Sequence, residues 1–141
     1  MDNFAINKFS EKTLLLLKKG VQANNHRYQV IANNIANADT PGFKRSSVTF
    51  EAQLKRAFER ENDSSIDAIV TNSRHIPFKI PVEWKEINPK TVLDYGSAMR
   101  NDGNNVDIDR ETAELSKTTL IYSALLDFLK HDYNLINLVL K

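Results

Sequence analysis

Histidine and cysteine are the side chains most often used for metal binding and proton transfer, and this chain contains few of them. It has no cysteine and three histidines, His26, His75 and His131. His26 and His131 fall on the outer faces of the two long helices predicted below, and no second histidine or cysteine lies near His75. We expect solvated or interface histidines here, with no catalytic or metal-binding role.

The acidic run from Asp102 to Glu111 has the composition of a calcium-binding loop but not its spacing. With Gly103 at the required sixth position, Ala98 and Arg100 occupy positions 1 and 3, where an EF-hand needs oxygen ligands. Phosphate-binding glycine loops are also missing from the sequence. We therefore predict that the protein is not an enzyme and binds no metal, cofactor or small-molecule substrate.

The overall composition argues against several other classes of protein. The chain has 141 residues, of which 41% are apolar and 26% charged, as is typical of a folded protein. Nineteen basic residues oppose 18 acidic ones, and no run of like charges marks a nucleic-acid partner. The N-terminus lacks the features of a secretory signal, and no stretch is apolar enough to span a membrane.

The side chains best suited to binding are asparagines. Asn33, Asn34 and Asn37 lie within five residues, near the end of a predicted helix, although asparagine is a mediocre helix former. Asparagine side chains readily bond to backbone groups. These residues either sit on the surface and cap a helix that ends in the turn at Pro41 and Gly42, or satisfy backbone groups of neighbouring chains.

Apolar residues recur at alternating spacings of three and four near the N-terminus, which is the heptad pattern of a helix that packs along one stripe. The stripe is Leu14, Leu17, Val21, Asn24, Tyr28, Ile31, Ile35 and Ala38. We expect this helix to stop at Asp39 or Thr40, because Pro41 disfavours helical geometry in the residue before it and Gly42 permits a turn with positive φ.

The C-terminal part of the chain carries the same heptad pattern. Its stripe is Ile108, Thr112, Leu115, Thr119, Tyr122, Leu126, Leu129, Tyr133, Ile136 and Leu140. This pattern predicts a second long helix that reaches the C-terminus. Asp107 or Asp109 is placed to accept hydrogen bonds from the amides of its first turn.

The two predicted helices, of about 28 and 33 residues, would each extend for some 40 to 50 Å and suit an antiparallel pair. Further apolar residues lie outside the two stripes: Leu15, Leu16, Val30, Leu120, Ile121, Leu125, Phe128, Leu135, Leu138 and Val139. A helix that is apolar on most of its circumference needs more than one partner. We expect other copies of the chain, or related proteins, to supply the missing contacts.

The region between the two helices has a different character. A helical period predicts a short helix over Val48–Arg60. The segment Ile76–Trp84 alternates apolar and polar residues, and Pro77 and Pro81 within it restrict it to an edge strand or an extended arm. Residues 101–105 predict a turn centred on an Asp-Gly pair.

Together these elements predict a mainly α fold in which long N- and C-terminal helices form an antiparallel coiled-coil hairpin. The middle region is small and irregular, with a short helix and an edge strand or extended arm. The predicted parts are an N-terminal helix with its asparagine-rich turn (1–43), a small middle domain (44–105) and a C-terminal helix (106–141).

The segment from Asn33 to Phe43 resembles a signature of the flagellar rod and hook protein family. That signature reads asparagine-asparagine-aliphatic-alanine-asparagine, followed by a short polar stretch that ends in glycine and an aromatic residue. The segment from Asp102 to Glu111 is similar to the start of the C-terminal helix in one proximal-rod branch, which the short chain also fits better than FlgC-type, distal-rod or hook proteins. The matching residues are Asn33, Asn34, Asn37, Pro41, Gly42, Phe43, Asn104, Asn105 and Asp107.

The resemblance implies a structural subunit of the proximal rod, whose terminal helices assemble into the axial drive shaft that bacteria use for motility. It implies export through the flagellar type III apparatus without a cleaved signal peptide, to a basal body that spans the periplasm. The implied partners are other copies of the chain, FlgC-type and distal rod proteins, the membrane-ring protein and the export-gate adaptor FliE. No nucleic acid or small-molecule substrate is expected.

In this interpretation the working residues are buried side chains. The candidates for packing between helices and between subunits are Leu14, Leu17, Val21, Tyr28, Ile31, Ile35, Leu115, Tyr122, Leu126, Leu129, Tyr133, Ile136 and Leu140. The alternative interpretation is a free-standing coiled-coil interaction module. That module would be a well-folded small oligomer in isolation, whereas an isolated rod subunit would be a monomer with largely unordered termini.

Overall fold

A computed structural model of the protein describes residues 3–61, 83–97 and 99–139. The fold is mainly helical, as predicted. Its elements, in chain order, are helix α1 (Asn3–Ala36), strand β1 (Ser46–Thr49), helix α2 (Glu51–Glu61), a 3-10 helix (Trp84–Glu86), strand β2 (Lys90–Leu93) and helix α3 (Ile108–Val139). None of the described helices is long and apolar enough to cross a membrane.

The two long helices, α1 and α3, pack against each other as an antiparallel pair. A methyl group added at Gly20 would lie 3.4 Å from Cδ1 of Leu125. Near the other end of α1, Asn34 hydrogen-bonds to Glu111 in the first turn of α3. Residues near the end of α1 therefore meet residues near the start of α3, which is the antiparallel arrangement. The prediction of long terminal helices that pair as a hairpin is confirmed.

The stripe of α3 that faces α1 differs in part from the stripe counted in the sequence. The buried or half-buried residues that follow spacings of three and four are Glu111, Leu115, Thr118, Tyr122, Leu125 and Leu129. Exposed positions of the counted stripe include Ile108, Thr112, Thr119, Leu126 and Tyr133. From Thr112 to Tyr133 only every second counted position faces α1. The count followed mostly apolar residues, whereas polar Glu111 and Thr118 occupy the interface.

The last turn of α1 ends earlier than predicted. The helix runs from Asn3, well before its first counted leucine, to Ala36. The expected stop at Asp39 or Thr40 is wrong, because the amide of Thr40 bonds to the carbonyl of Asn37, three residues back, at 3.1 Å. This is a tighter turn than an α-helix makes.

Helix α3 begins where its cap predicts. The Oδ1 atom of Asp107 accepts hydrogen bonds from the amides of Asp109 at 3.0 Å and Arg110 at 3.2 Å. Asp107 is therefore the N-cap residue. The predicted turn before the helix is also present, because Gly103 has a φ of 82° and its amide bonds to the carbonyl of Arg100 at 3.0 Å.

Strands β1 and β2 form a two-stranded sheet that the sequence patterns do not predict. Just outside the strands, the amide of Asp94 bonds to the carbonyl of Arg45 at 2.8 Å. This bond pairs the residue before β1 with the residue after β2, so the strands are antiparallel. Each strand has four residues, which is too short for an alternating pattern to be distinctive.

By its internal contacts the chain divides into two compact units. One comprises Met1–Val48 and Pro89–Lys141, and the other comprises Thr49–Asn88. The flanks 44–48 and 89–105, which the sequence suggested as parts of a middle domain, thus group with the long helices.

In the smaller unit, α2 and the 3-10 helix pack together. The ring of Phe58 stacks on the ring of Trp84, with the centroids 5.6 Å apart, and Trp84 is buried. Helix α2 begins at Glu51, slightly later than predicted. Trp84 opens the 3-10 helix and does not end an extended strand. The predicted strand or arm otherwise falls on residues 76–82, which lie outside the described residues.

Candidate functional site: a polar junction and an exposed apolar face

Among the three asparagines near the end of α1, Asn34 is the buried one, with no exposed surface. Its side-chain amide donates hydrogen bonds to the carbonyl of Ser46 at 2.8 Å and to Oε2 of Glu111 at 2.9 Å. Its Oδ1 atom accepts a hydrogen bond from the amide of Ser46 at 3.0 Å. The side chain of Asn34 therefore pairs with the backbone of Ser46 as a neighbouring strand would. Since Asn34 belongs to α1 and also bonds to Glu111 of α3, it links the start of β1 to both long helices.

Glu111 is also fully buried, and both of its oxygens have partners. Oε1 accepts a hydrogen bond from Nε of Arg45 at 2.6 Å, while Oε2 accepts the bond from Asn34. The Arg45 side chain is 17% exposed. A buried charge is costly unless it is paired and hydrogen-bonded. The ion pair and its amide partner thus join α1, α3 and the segment before β1 at one point.

Asn104 joins the turn that precedes α3 to the turn that follows α1. Its side chain is fully buried. Its Nδ2 atom lies within 3.0 Å of the carbonyl oxygens of Asn37, Ala38 and Thr40, and its Oδ1 atom accepts the amide of Val106 at 2.8 Å. All three carbonyls belong to the turn that follows α1, so Asn104 fixes this turn from a distant part of the sequence.

Asn105 joins the turn before α3 to the two strands. Its side-chain amide donates to the carbonyl of Asp94 at 2.8 Å and to the hydroxyl of Ser97 at 3.1 Å. Its Oδ1 atom accepts the amide of Arg45 at 2.6 Å. We refer to Asn34, Arg45, Ser46, Asn104, Asn105 and Glu111 together as the asparagine junction.

Charged side chains at the rim of the junction add weaker contacts. Arg100 donates to the carbonyl of Ala38 and to the carboxylate of Asp39, both at 2.8 Å. The bond to Asp39 raises the pKa of Arg100 above its ordinary value, so the guanidinium stays charged. Because both side chains are exposed, this ion pair contributes little to stability.

Asp94 lies beside β2 and fixes the loop that follows it. Its carboxylate accepts the amide of Gly96 and the hydroxyl of Ser97, each at 3.0 Å. These hydrogen bonds, the amide first, hold the pKa of Asp94 below its usual value. The carboxylate form is therefore favoured by the fold.

The outer asparagines of the motif make local bonds. Asn33 is exposed, and the side-chain amide of Asn37 donates to its carbonyl at 2.8 Å. The hydroxyl of Thr40 donates to Oδ1 of Asn37 at 3.3 Å. These contacts extend the end of α1 into the following turn.

That turn uses its glycine as predicted. Gly42 has a φ of 71°, a conformation that favours glycine, and its amide bonds to the carbonyl of Asp102 at 3.0 Å. Pro41 is exposed and Phe43 is half-buried.

Of the predicted packing residues on α1, only Ile31 is among the most buried described residues of that helix. Ile31 is buried, Leu14, Leu17, Val21 and Ile35 are half-buried, and Tyr28 is exposed. Other buried residues of this helix are Ala23, Asn24 and Asn34. The buried face of α1 thus consists largely of small and polar side chains. The larger side chain of Tyr28 is exposed instead.

The predicted packing residues on α3 divide into two groups. Leu115, Tyr122 and Leu129 are half-buried, whereas Leu126, Tyr133 and Ile136 are exposed, and Leu140 lies outside the described residues. Beside the exposed group stand further large apolar side chains, and the most exposed are Leu120, Phe128, Leu135 and Leu138. Large apolar side chains exposed close together on one helix are typical of an interaction surface. We call α3 from Leu120 to Leu138 the distal stretch.

Comparison with known proteins places the chain in a family. It is 44% identical to the flagellar basal body rod protein FlgB of Borrelia hermsii, over 82% of this chain and 85% of that protein. It is 39% identical to FlgB of Borreliella burgdorferi over the same shares, and 31% identical to FlgB of Bacillus subtilis over 91% and 92%. The chain belongs to the FlgB family of flagellar basal body rod proteins.

The family assignment also agrees with the asparagine motif. A family model described as "Flagella basal body rod protein" matches residues 16–44, which hold much of α1 and the turn after it. The resemblance of this segment to flagellar rod proteins is thus confirmed. The names of these FlgB relatives describe rod proteins of the basal body and no catalytic reaction.

Half of the asparagine junction is missing from the motif read in the sequence. The motif contains Asn34, Asn104 and Asn105, but gives no role to Arg45, Ser46 or Glu111. A signal for Glu111 does exist, because it stands four residues before Leu115, in phase with the stripe that faces α1. Arg45 and Ser46 have no such periodicity, and their positions depend on the sheet.

Proposed function

We propose that this protein is a structural subunit of the proximal rod of the flagellar basal body, and that its terminal helices assemble into the axial drive shaft used for motility. The observation that carries the proposal is the distal stretch of α3, which exposes 63% of Phe128 and 75% of Leu138 in a member of a rod-protein family. Each large apolar side chain buried on assembly contributes about 1.5 to 3 kcal/mol before the costs of association.

The proposed partners follow from the family. They are other copies of this chain, FlgC-type and distal rod proteins, the membrane-ring protein and the export-gate adaptor FliE. The proposal includes export through the type III apparatus without a cleaved signal peptide, to the part of the basal body that spans the periplasm.

The test is substitution of exposed apolar residues in the distal stretch. Phe128→Glu and Leu135→Glu each place a charge where we expect contact with another subunit. Lys130→Glu is the matched control, because Lys130 is an exposed polar residue of the same helix. Each variant replaces the chromosomal copy, and swarming motility and the amount of the protein in isolated basal bodies are measured.

We expect the Phe128→Glu and Leu135→Glu chains to be produced normally but to be missing from basal bodies. Cells that produce either variant should be non-motile. The control should behave like the unaltered chain. Normal motility with normal incorporation of Phe128→Glu and Leu135→Glu would overturn the proposal. A stable small oligomer of the purified chain, unaffected by these changes, would favour the free-standing coiled-coil module.

A further inference from the structure

A second heptad stripe runs along α3, beside the one that faces α1. It consists of Ile121, Ala124, Phe128, His131, Leu135 and Leu138, with alternating spacings of three and four. All six residues are exposed. The stripe is about 26 Å long at a rise of about 1.5 Å per residue. It has the spacing and the length to receive one more helix.

Helix α1 carries a second stripe of its own, which we call its outer stripe. It consists of Leu14, Lys18, Val21, Asn25 and Tyr28, again spaced by four and three. Lys18, Asn25 and Tyr28 are exposed, and the two aliphatic residues are half-buried. This surface is narrower and more polar than the second stripe of α3, and it is basic at Lys18.

The two stripes lie on opposite sides of the hairpin. At about 100° per residue, each stripe lies about 120° around its helix from the face that contacts the other helix. Followed from N- to C-terminus, the rotation has one sense on α1 and the opposite sense on α3. In an antiparallel pair, these opposite senses place the two stripes on opposite sides of the hairpin. A contact supports this geometry: Nζ of Lys18 lies 5.9 Å from the ring centroid of Tyr133, and Tyr133 is on the flank of α3 away from Phe128.

The charges of the two helices favour contact between unlike stripes. Along the outer stripe, residues 14–28 of α1 include three basic residues and no acidic one, a net charge of +3 with histidine neutral. Along the second stripe, residues 121–138 of α3 include one basic and two acidic residues, a net charge of −1. A contact between α1 of one copy and α3 of another is therefore attractive, whereas contact between two α3 helices brings together like net charges.

We propose that the second stripe of α3 binds the outer stripe of α1 in a second copy of this chain. This inference rests on the proposed rod function and names the surfaces that assembly uses. Two different surfaces on opposite sides of one molecule make a heterologous contact, which repeats from copy to copy and does not close into a two-fold dimer. A continuous row of subunits is the natural product.

Cysteine cross-linking in basal bodies tests the contact, because the natural chain has no cysteine. Cells produce two tagged variants together, one with Ala124→Cys and the other with Lys18→Cys or Asn25→Cys. All three sites are exposed, so the substitutions should preserve the fold of each chain, and the amount of each variant in basal bodies is measured beside the cross-link. Isolated basal bodies are treated with a short bis-maleimide. Asn134→Cys, an exposed position outside the stripe, replaces Ala124→Cys as the control.

We expect a dimer of the two differently tagged chains for at least one of the two α1 positions, at a yield at least tenfold above the Asn134→Cys control. A dominant product joining two Ala124→Cys chains would overturn the inference. Basal bodies that contain both variants but give no cross-link above the control would also overturn it, while leaving the rod function intact. Absence of both variants and of the unaltered chain from basal bodies would refute the rod function itself.

Discussion

The asparagine junction and the distal stretch of α3 differ in what they bury. At the junction, Asn34, Asn104 and Glu111 are fully buried and bonded to partners within the chain. Along the distal stretch, Leu120 and Leu138 keep about three quarters of their surface exposed, at 73% and 75%. The first turn of α3 is therefore bonded within its own chain, whereas large apolar side chains of the distal stretch are left uncovered by it.

This difference suggests that the two regions have different roles. Hydrogen bonds are directional, so a buried polar network specifies one alignment of the helices. Apolar contacts are not directional and tolerate small shifts. We interpret the junction as the element that sets the register of α1 against α3, and the distal stretch as the surface that binds other subunits.

The largest expected effect comes from breaking the junction. Glu111→Ala leaves Arg45 and Asn34 without their shared partner, and removing one member of a buried ion pair is strongly destabilising. We expect the free energy of unfolding to fall by about 3 kcal/mol, measured by urea denaturation of the purified chain with circular dichroism.

The matched control for this change is Glu114→Ala in the same helix. Glu114 lies 3.8 Å from Lys117 in an ion pair whose side chains are 40% and 66% exposed. We expect its loss to change the free energy of unfolding by about 0.5 kcal/mol or less. Equal effects of the two substitutions would contradict the role given to the junction.

Truncation of an apolar side chain compares the two regions directly. Ile31 is 4% exposed in the face of α1 towards α3, and Leu120 is 73% exposed in the distal stretch. We expect Ile31→Ala to lower the free energy of unfolding by about 2 kcal/mol or more, and Leu120→Ala to change it by about 0.5 kcal/mol or less. Comparable losses would mean that the distal stretch already packs within a single chain.

A polar residue between the two regions offers a stabilising change. Asn24 is 5% exposed, and its Oδ1 atom has no hydrogen-bond partner within the described ranges. An unsatisfied buried polar atom is costly. We therefore expect Asn24→Leu to raise the free energy of unfolding by about 1 kcal/mol, whereas Asn25→Leu, at an exposed neighbour, should have little effect. A loss of stability in Asn24→Leu would contradict this account.

The smallest effect concerns the rim of the junction and depends on pH. The folded chain lowers the pKa of Asp94 below its usual 3.8, so this carboxylate stabilises the fold above that pKa and ceases to do so as the pH falls through its folded value. We expect Asp94→Asn to be slightly less stable than the unaltered chain at pH 6, and the gap to close below about pH 4. A gap of constant size across this range would contradict the assignment.

The long helices could be predicted from the sequence because their heptad spacing is regular over many turns. The caps and turns at Asp107, Gly42 and Gly103 were also predictable, since each has a specific chemical signal. The face of α3 towards α1 was harder to predict, because Glu111 and Thr118 interrupt its apolar pattern. Six of the nine described positions of the counted stripe therefore lie on the exposed side.

The asparagine junction could be predicted only in part. Unusual asparagine spacing identified Asn34 and, by resemblance, Asn104. Their partners could not be found in this way, because Arg45 and Ser46 reach the site through a short sheet that leaves no periodic signal. Hydrogen bonds between residues about 60 to 80 positions apart, such as Asn34 to Glu111 at 2.9 Å, depend on the tertiary fold.

Hydrogen exchange of backbone amides, in the dilute monomer and in isolated basal bodies, tests the central claim most directly. We expect the amides of Val106 and of the first turns of α3 to exchange slowly in both samples, because the junction protects them within one chain. Amides of the distal stretch should exchange rapidly in the monomer and slowly only in the basal body. A dilute monomer in which the distal stretch is as protected as the junction would contradict the account.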